Sequence, residues 1–220
     1  VNLDIEETLK GTTLPGSQSI PVSAMTGENL PTLITAIDGM LNNTPPKRDI
    51  GKPRLPIDRI FTIAGFGTVV TGTLIDGKLS KGQEVEIVPS SVTTHIRGLQ
   101  THKQTSDTAT PGSRVAANLA NIAIDQINRG DVLTTPGWLK ASRTLDVKLR
   151  LLASAPRPLE HNAQVTLHTG AAEAQTKVRL LDTSVIKPGE SAFAQLVLDD
   201  PIAVVKDDLF IIRSPQETLG

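Results

Sequence analysis

The chain has 220 residues, a formal net charge of −1 and 20% charged residues. Its 38% apolar content is typical of a folded protein, and no apolar run reaches the roughly 18 residues that a membrane span needs. The absence of cysteine excludes disulfides and thiolate metal sites, and four Phe and one Trp are too few for a base-stacking platform for single-stranded nucleic acid.

Residues 1–43 are expected to be the end of an α/β domain. The apolar run at 19–22 (SIPV) predicts a strand, and Asn29 is placed to cap a following helix. Apolar side chains recur in that helix at spacings of three and four: Leu30, Leu33, Ile34, Ile37, Met40 and Leu41. A strand followed by a helix is an α/β pattern that nothing later repeats. Since the chain also begins at Val1 without a leader segment, we expect an intracellular piece of a longer protein.

The rest of the chain indicates a mainly β fold. Residues 44–53 (TPPKRDIGKP) are polar and Pro-rich, which favours a linker. From residue 54 onward, alternating runs recur every 8–12 residues between turn-forming residues, with a further break at 136–138 (PGW). The runs that predict strands are 83–88, 113–119, 145–152, 163–167, 174–181, 192–198 and 209–212. We therefore expect two consecutive β-barrels, residues 54–137 and 138–220, because closure removes exposed sheet edges.

No catalytic motif is present. The glycine spacing from Gly11 to Gly16 fits a phosphate-binding loop, but Ser17 stands where that loop needs lysine. No His-x-x-x-His pair suggests a metal site, and no Gly-x-Ser-x-Gly turn suggests a serine nucleophile. The chain alone is therefore expected to be non-catalytic and to bind no metal.

Three motifs resemble the translational GTPases of the elongation factor Tu class. Residues 63–72 (IAGFGTVVTG) resemble the hairpin that opens the second domain, residues 127–133 (INRGDVL) resemble its closing motif, and residues 22–28 (VSAMTGE) resemble the last guanine-recognition motif. The resemblance covers essentially the whole chain. It implies that Ser23 and Ala24 contact guanine in an intact protein that uses GTP and magnesium. Without a phosphate loop, this chain is expected to bind neither.

A finer resemblance is to the selenocysteine-specific elongation factors. The acidic aminoacyl pocket of elongation factor Tu is replaced here by Asp58, Arg59 and Arg114, one acid and two arginines. Residues 55–61 (LPIDRIF) and 97–102 (RGLQTH) are also similar to that branch. A selenol is more acidic than a hydroxyl, so guanidinium groups suit a selenolate, and a neutral serine would leave them unpaired. Asp58 would accept from the aminoacyl ammonium or hold an arginine.

The sequence leaves the position of this pocket open. Arg114 lies on the outward face of its strand, where simple solvation is the alternative. By alternation Arg59 would share the core face with Leu55, Ile57 and Phe61, so either a bulge turns it outward or it lies at a barrel mouth.

The resemblance also implies contacts with tRNA. The predicted contacts to its 3′ end are Gly65, Phe66, Gly67 and His102, although Phe66 would equally suit local packing in a turn. The predicted contacts to its stem are Lys148 and Arg150 on one strand and Lys177 and Arg179 on another; solvated barrel exteriors are the alternative.

The implied partners are selenocysteinyl-tRNA, the ribosome and, through winged-helix domains outside this chain, a selenoprotein mRNA hairpin, all in the cytoplasm and with no membrane. Two other interpretations remain open. The chain is the second and third domains of another elongation or initiation factor, or it is a non-catalytic β-barrel module for protein interactions.

Overall fold

The computed structural model describes residues 1–10, 12, 14–45 and 49–214. The chain divides into two compact units, Val1–Arg48 and Asp49–Gly220. The division falls inside the predicted linker, of which residues 46–48 lie outside the described residues, as do residues 215–220 of the predicted second barrel. Among the described residues, no helix has the length and apolar character needed to cross a membrane.

The first unit contains two helices and no described strand. The helices are α1 (Asn2–Leu9), which no periodic pattern in the sequence predicted, and α2 (Leu30–Asn43). The strand predicted at residues 19–22 is wrong, because a β-strand needs a hydrogen-bonding neighbour and the described part of this unit offers none. Asn29 does precede α2, but its backbone has a φ of 58° and its Nδ2 donates to the Pro21 carbonyl at 2.9 Å instead of capping the helix.

The second unit is built from short antiparallel strands, as the alternating sequence predicts. The strands of its first half are β1 (Arg54–Ile63), β2 (Gly67–Thr73), β3 (Leu79–Ser80), β4 (Glu84–Val88), β5 (Val92–Thr101), β6 (Gln104–Ser106), β7 (Thr108–Ala109), β8 (Arg114–Leu119) and β9 (Val132–Thr134), with a 3₁₀ turn at Ile124–Gln126. The strands of its second half are β10 (Ser142–Arg150), β11 (Leu159–Glu160), β12 (Gln164–Thr169), β13 (Ala172–Leu180), β14 (Val185–Ile186), β15 (Ser191–Ile202) and β16 (Ile211–Arg213).

Six strands of the first half close into a barrel. They pair in the order β4-β9-β1-β2-β8-β5, and β5 pairs again with β4, while β6 pairs antiparallel with the end of β5. Alternate residues fill the interior: Val115, Ala117 and Leu119 of β8 are buried as predicted, whereas Arg114 is exposed. The mainly β fold is thus confirmed.

The second half forms only half of a barrel. Its sheet has the order β10-β15-β13-β12-β16, and in the described chain the edge strands β10 and β16 do not pair with each other. In place of the closed second barrel, the described residues show a half-barrel, in which β16 pairs with β12 and the short pair β11–β14 forms a separate sheet. One face of this sheet packs into a second apolar core around Leu167, Val178 and Leu196.

Two bulges interrupt the regular alternation of the closed barrel. In β1 the register against β2 shifts between Ile57 and Arg59, and in β5 the register against β8 shifts between Ile96 and Gly98. Each bulge adds one residue that has no partner on the neighbouring strand. Both extra residues, Asp58 and Arg97, carry a charge.

Candidate functional site

The bulge in β1 resolves the position of Arg59. Ile57 is buried before the bulge, and Ile60 packs against the core after it, so Arg59 is released from the interior face and is exposed. Arg59 then lies opposite Thr71 of β2, and Arg114 of β8 lies opposite Thr73 of the same strand. Of the two alternatives left open by the sequence, the bulge is the one that the structure shows.

Asp58 and Arg114 form a bidentate ion pair on the outside of the barrel. Arg114 Nη2 donates to Asp58 Oδ1 at 2.8 Å, and Arg114 Nη1 donates to Asp58 Oδ2. Thr71 Oγ1 donates to Asp58 Oδ1 at 2.9 Å from the strand between them. The side chains of Asp58 and Arg114 are 28% and 51% exposed, so the pair can still be reached by a ligand.

Arg59 carries the charge of this cluster that is not neutralised. Among the described residues it forms no ion pair, whereas Asp58 and Arg114 compensate each other. Partial burial raises the pKa of the Asp58 carboxyl, but hydrogen bonds from Arg114 and Thr71, together with the charges of Arg114 and Arg59, outweigh this and lower it. The three predicted pocket residues therefore converge, and together they carry one net positive charge.

The exposed ion pair is expected to contribute little to folding. We expect Arg114→Ala to lower the free energy of unfolding by less than about 1 kcal/mol, because the buried face of β8 is untouched. Since the folded pKa of Asp58 is lowered from 3.8, the contribution of the pair is present above the unfolded pKa and is lost as the pH falls through the folded one. Urea unfolding at pH 7 and at about pH 3 measures both effects. A larger loss, or one that grows in acid, would contradict this placement.

The hairpin between β1 and β2 forms an exposed turn. The Phe66 amide donates to the Ile63 carbonyl at 2.9 Å, and Gly65 and Gly67 have φ values of 79° and 90°, which favour glycine. The Phe66 side chain is 65% exposed, so the alternative of local packing is not what the structure shows. The Asn118 Nδ2 donates to the Phe66 carbonyl at 2.8 Å and ties the turn to β8. No motif in the sequence indicated this contact of Asn118.

His102 is not brought next to this hairpin. It lies in the turn after β5, with a φ of 51°, and Thr101 pairs with Val115 near the start of β8. The hairpin instead faces the end of β8, where Thr68 pairs with Leu119. The two levels are four residues apart, or about 13 Å along the strand. His102 thus lies at the end of the sheet that carries Arg114.

The four predicted basic residues share one outer face of the open sheet. Lys148 of β10 lies opposite Phe193 of β15, and Arg179 of β13 lies opposite Gln195 of the same strand. The two basic strands flank β15 and are therefore about 10 Å apart. All four cations, which are Lys148, Arg150, Lys177 and Arg179, are exposed, and none forms an ion pair among the described residues. The exposed Phe193 lies between them.

Ser23 and Ala24 lie in the first unit, ahead of α2. The Ser23 carbonyl accepts from the Gly27 amide at 2.9 Å, and Ser23 Oγ accepts from the Thr26 amide at 3.2 Å. Ala24 is exposed in the turn that these bonds hold. Across the described ranges, no group of three or more His, Asp or Glu side chains is placed to hold a metal ion.

Both halves of the second unit match known protein families. Residues 67–134 match the family model for elongation factor Tu domain 2, and residues 146–220 match the model for the β-barrel domain of selenocysteine-specific elongation factor. A selenocysteine-specific elongation factor from Desulfomicrobium baculatum is 40% identical over 222 aligned residues, which include 100% of this chain and 35% of that protein. The chain thus spans about a third of the length of this relative.

Solved structures show that the fold is shared. A bacterial selenocysteine-specific elongation factor, EF-Sec, matches with a TM-score of 0.83 and 21% identity over 97% of this chain and 34% of the other. The elongation factor SelB of Methanococcus maripaludis, in its apo form, matches with a TM-score of 0.81 and 24% identity over 96% of this chain and 48% of the other. These two structures show the shared fold, whereas the 40% identity over the whole of this chain and the family model at residues 146–220 show that the chain belongs to the selenocysteine-specific elongation factor family.

Proposed function

We propose that this chain is the part of a selenocysteine-specific elongation factor that holds selenocysteinyl-tRNA. The observation that carries the proposal is the convergence of Asp58, Arg59 and Arg114 at the bulge of β1. A single positive charge remains there, on a face that solvent reaches. A selenolate carries the complementary negative charge near neutral pH, whereas the serine hydroxyl does not.

The three residues are assigned different roles. Arg59 has no acidic partner in the described chain and is therefore the group proposed to bind the selenolate. Arg114 is occupied by Asp58 in a bidentate pair, and its role is to orient the carboxylate and to neutralise it, since a free carboxylate would repel the selenolate. Each carboxylate oxygen has two lone pairs, so Asp58 can still accept from the aminoacyl ammonium.

The RNA is proposed to extend from this pocket over both outer faces. Gly65, Phe66 and Gly67 would contact the 3′ end at the hairpin. His102 would contact the 3′ end at the opposite end of the sheet, where Arg114 lies. Phosphates of the stem would meet the four exposed cations beside β15, which are Lys148, Arg150, Lys177 and Arg179.

The longer protein is proposed to work in the cytoplasm with GTP, magnesium and the ribosome. Ser23 and Ala24 would contact guanine there, chiefly through the Ala24 amide, once a phosphate loop is supplied from elsewhere. The mRNA hairpin would be bound by domains outside this chain. This chain by itself is expected to bind no GTP.

Binding of aminoacyl-tRNA by the 220-residue chain tests the proposal against a module for protein interactions. We expect binding whose logarithm falls linearly with the logarithm of salt concentration, because phosphate contacts release counterions. Replacing both Lys148 and Lys177 by alanine should reduce that slope, whereas replacing the exposed Lys187 should not. No detectable binding at low salt would favour the protein-interaction module.

A further inference from the structure

The turn at residues 128–131 (NRGD) belongs to the closing motif of the first barrel, and the proposed function gives it no role. The Asp131 amide donates to the Asn128 carbonyl at 3.1 Å, and Asp131 Oδ2 accepts from the Asn128 amide at 2.8 Å. Asp131 is 4% exposed, and Gly130 has a φ of 97°, which favours glycine. A buried carboxyl and a glycine backbone thus hold this turn in one shape.

The turn fixes Ile57, the residue that immediately precedes the bulge of β1. The Ile57 amide donates to the Asp131 carbonyl at 2.8 Å, and the Gly130 amide donates to the Ile57 carbonyl at 2.8 Å. The turn therefore takes both main-chain hydrogen-bonding groups of Ile57. The register against β2 shifts directly afterwards, so Asp58 and Arg59 project from a backbone whose starting point the turn sets.

The second half of the unit packs against the same turn. The hairpin between β12 and β13 approaches Gly130 so closely that an added Cβ would lie 2.8 Å from Ala172 Cα and 3.4 Å from the Ala171 carbonyl oxygen. Only glycine allows this approach, because a Cβ cannot lie so near a backbone carbon. The hairpin also reaches β1, since a Cβ added to Gly170 would lie 3.5 Å from Pro56 Cβ. The hairpin thus packs against both the turn and the strand that precede the bulge.

We propose that Gly130 and Asp131 are positioning residues for the aminoacyl pocket, through which the second half of the unit sets the direction of Arg59. The inference rests on the proposed function and assigns a role to residues that it left out. Neither residue is proposed to touch the ligand, because both act on Ile57 and the bulge carries the position of Ile57 to the charged side chains. A guanidinium displaced by about 1 Å would lose much of a charge-assisted hydrogen bond, since such bonds depend on distance and angle.

The test measures the ratio of the affinities for analogues of selenocysteinyl- and seryl-tRNA, together with the salt slope, in Gly130→Ala. We expect the ratio to fall by about threefold to tenfold, within the range of one charge-assisted hydrogen bond, and the salt slope to be unchanged because the phosphate contacts remain. Gly82→Ala is the matched control. Gly82 has a φ of 81°, but nothing in the described chain lies within 4 Å of an added Cβ, so this variant imposes the backbone strain without the contact. Its ratio should equal that of the unsubstituted chain.

A second pair of variants decides the inference if Gly130→Ala does not fold. Asp131→Ala removes the acceptor that holds the turn, whereas Asp131→Asn keeps an acceptor oxygen for the Asn128 amide. We expect Asp131→Ala to lower the ratio of affinities and Asp131→Asn to retain it. Far-UV circular dichroism of each variant shows that the binding is measured on folded protein.

Other results would overturn the inference in separable ways. An unchanged ratio in folded Gly130→Ala or Asp131→Ala would show that the pocket does not depend on the turn. Equal losses of affinity for the two aminoacyl-tRNAs would show that the turn supports only the fold or the stem contact. A loss of the same size in Gly82→Ala would assign the effect to backbone strain. Absence of a preference in the unsubstituted chain would instead contradict the proposed function itself, and with it the pocket that the turn positions.

Discussion

Replacing Arg54 with methionine is expected to lower the free energy of unfolding by about 3–5 kcal/mol, because the change leaves a buried carboxylate without its counterion. The Arg54 side chain is only 7% exposed and that of Asp76 only 2%. Arg54 Nε and Nη2 donate to Asp76 Oδ2 at 2.8 and 2.6 Å, and Nη1 donates to Asp208 Oδ2 at 2.6 Å. Urea unfolding with circular dichroism measures the loss.

The partners of Arg54 supply the controls for this prediction. Burial lowers the pKa of the guanidinium, but the hydrogen bonds to Asp208 and Asp76 outweigh it and raise the pKa, so Arg54 is charged. We expect Asp76→Asn to recover part of the loss in the Arg54→Met background. Asp208→Asn should cost less than Arg54→Met because Asp208 is 24% exposed. Arg143→Met, at an exposed arginine, should change stability by less than about 0.5 kcal/mol. A loss below about 1 kcal/mol for Arg54→Met would contradict the burial of this network.

Replacing Arg59 with glutamine is expected to weaken binding of selenocysteinyl-tRNA by about tenfold to a hundredfold while changing the affinity for seryl-tRNA little. Charge-assisted hydrogen bonds contribute roughly 1.5–3 kcal/mol, and only the selenolate supplies the opposite charge. Arg59 is the cation of the pocket that no described carboxylate neutralises, so its charge is available to a ligand. Competition binding with amide-linked, reduced analogues of the two aminoacyl RNAs measures the effect.

A control for Arg59 is available on the other sheet. Arg150→Gln removes the same group from the proposed stem contact. It should therefore weaken the binding of selenocysteinyl-tRNA and of seryl-tRNA by the same factor. If Arg59→Gln also lowered the affinities for the two aminoacyl-tRNAs equally, Arg59 would contact the RNA and not the amino acid.

The strands of the second unit were predictable because their signal is local. Residues 113–119 alternate between polar and apolar side chains, and β8 shows that alternation in its burial. The run at 19–22 had the composition of a strand but no described partner, and a strand cannot be inferred without its neighbour. Closure of the second barrel likewise depends on edge pairing, which composition does not determine.

The site was predictable in its residue types but not in its geometry. A resemblance to a family pointed to Asp58, Arg59 and Arg114, yet only the register between β1 and β2 shows that a bulge turns Arg59 outward. Simple alternation would have placed it in the core. His102 and Phe66 were both predicted to contact the 3′ end of the tRNA, because each lies in a motif that resembles the family. Only the strand pairing shows that they lie at opposite levels of β8.

Contacts between side chains far apart in the sequence could not be predicted from the sequence pattern. Arg54 and Asp208 are 154 positions apart, and nothing near either residue indicates that they meet. Arg97 was part of a motif that resembled the family, but its direction depends on a bulge and on Asn121. Such positions become visible only when the pairing of distant strands is known.

The ratio of affinities for selenocysteinyl- and seryl-tRNA, measured at neutral pH with the unsubstituted chain, tests the central proposal most directly. A single uncompensated guanidinium beside the Asp58–Arg114 pair predicts a preference for the selenocysteinyl form of about tenfold or more, and a smaller preference in acid as the selenol takes up its proton. Equal affinities at neutral pH would contradict a pocket built for an anion and would favour another translational carrier.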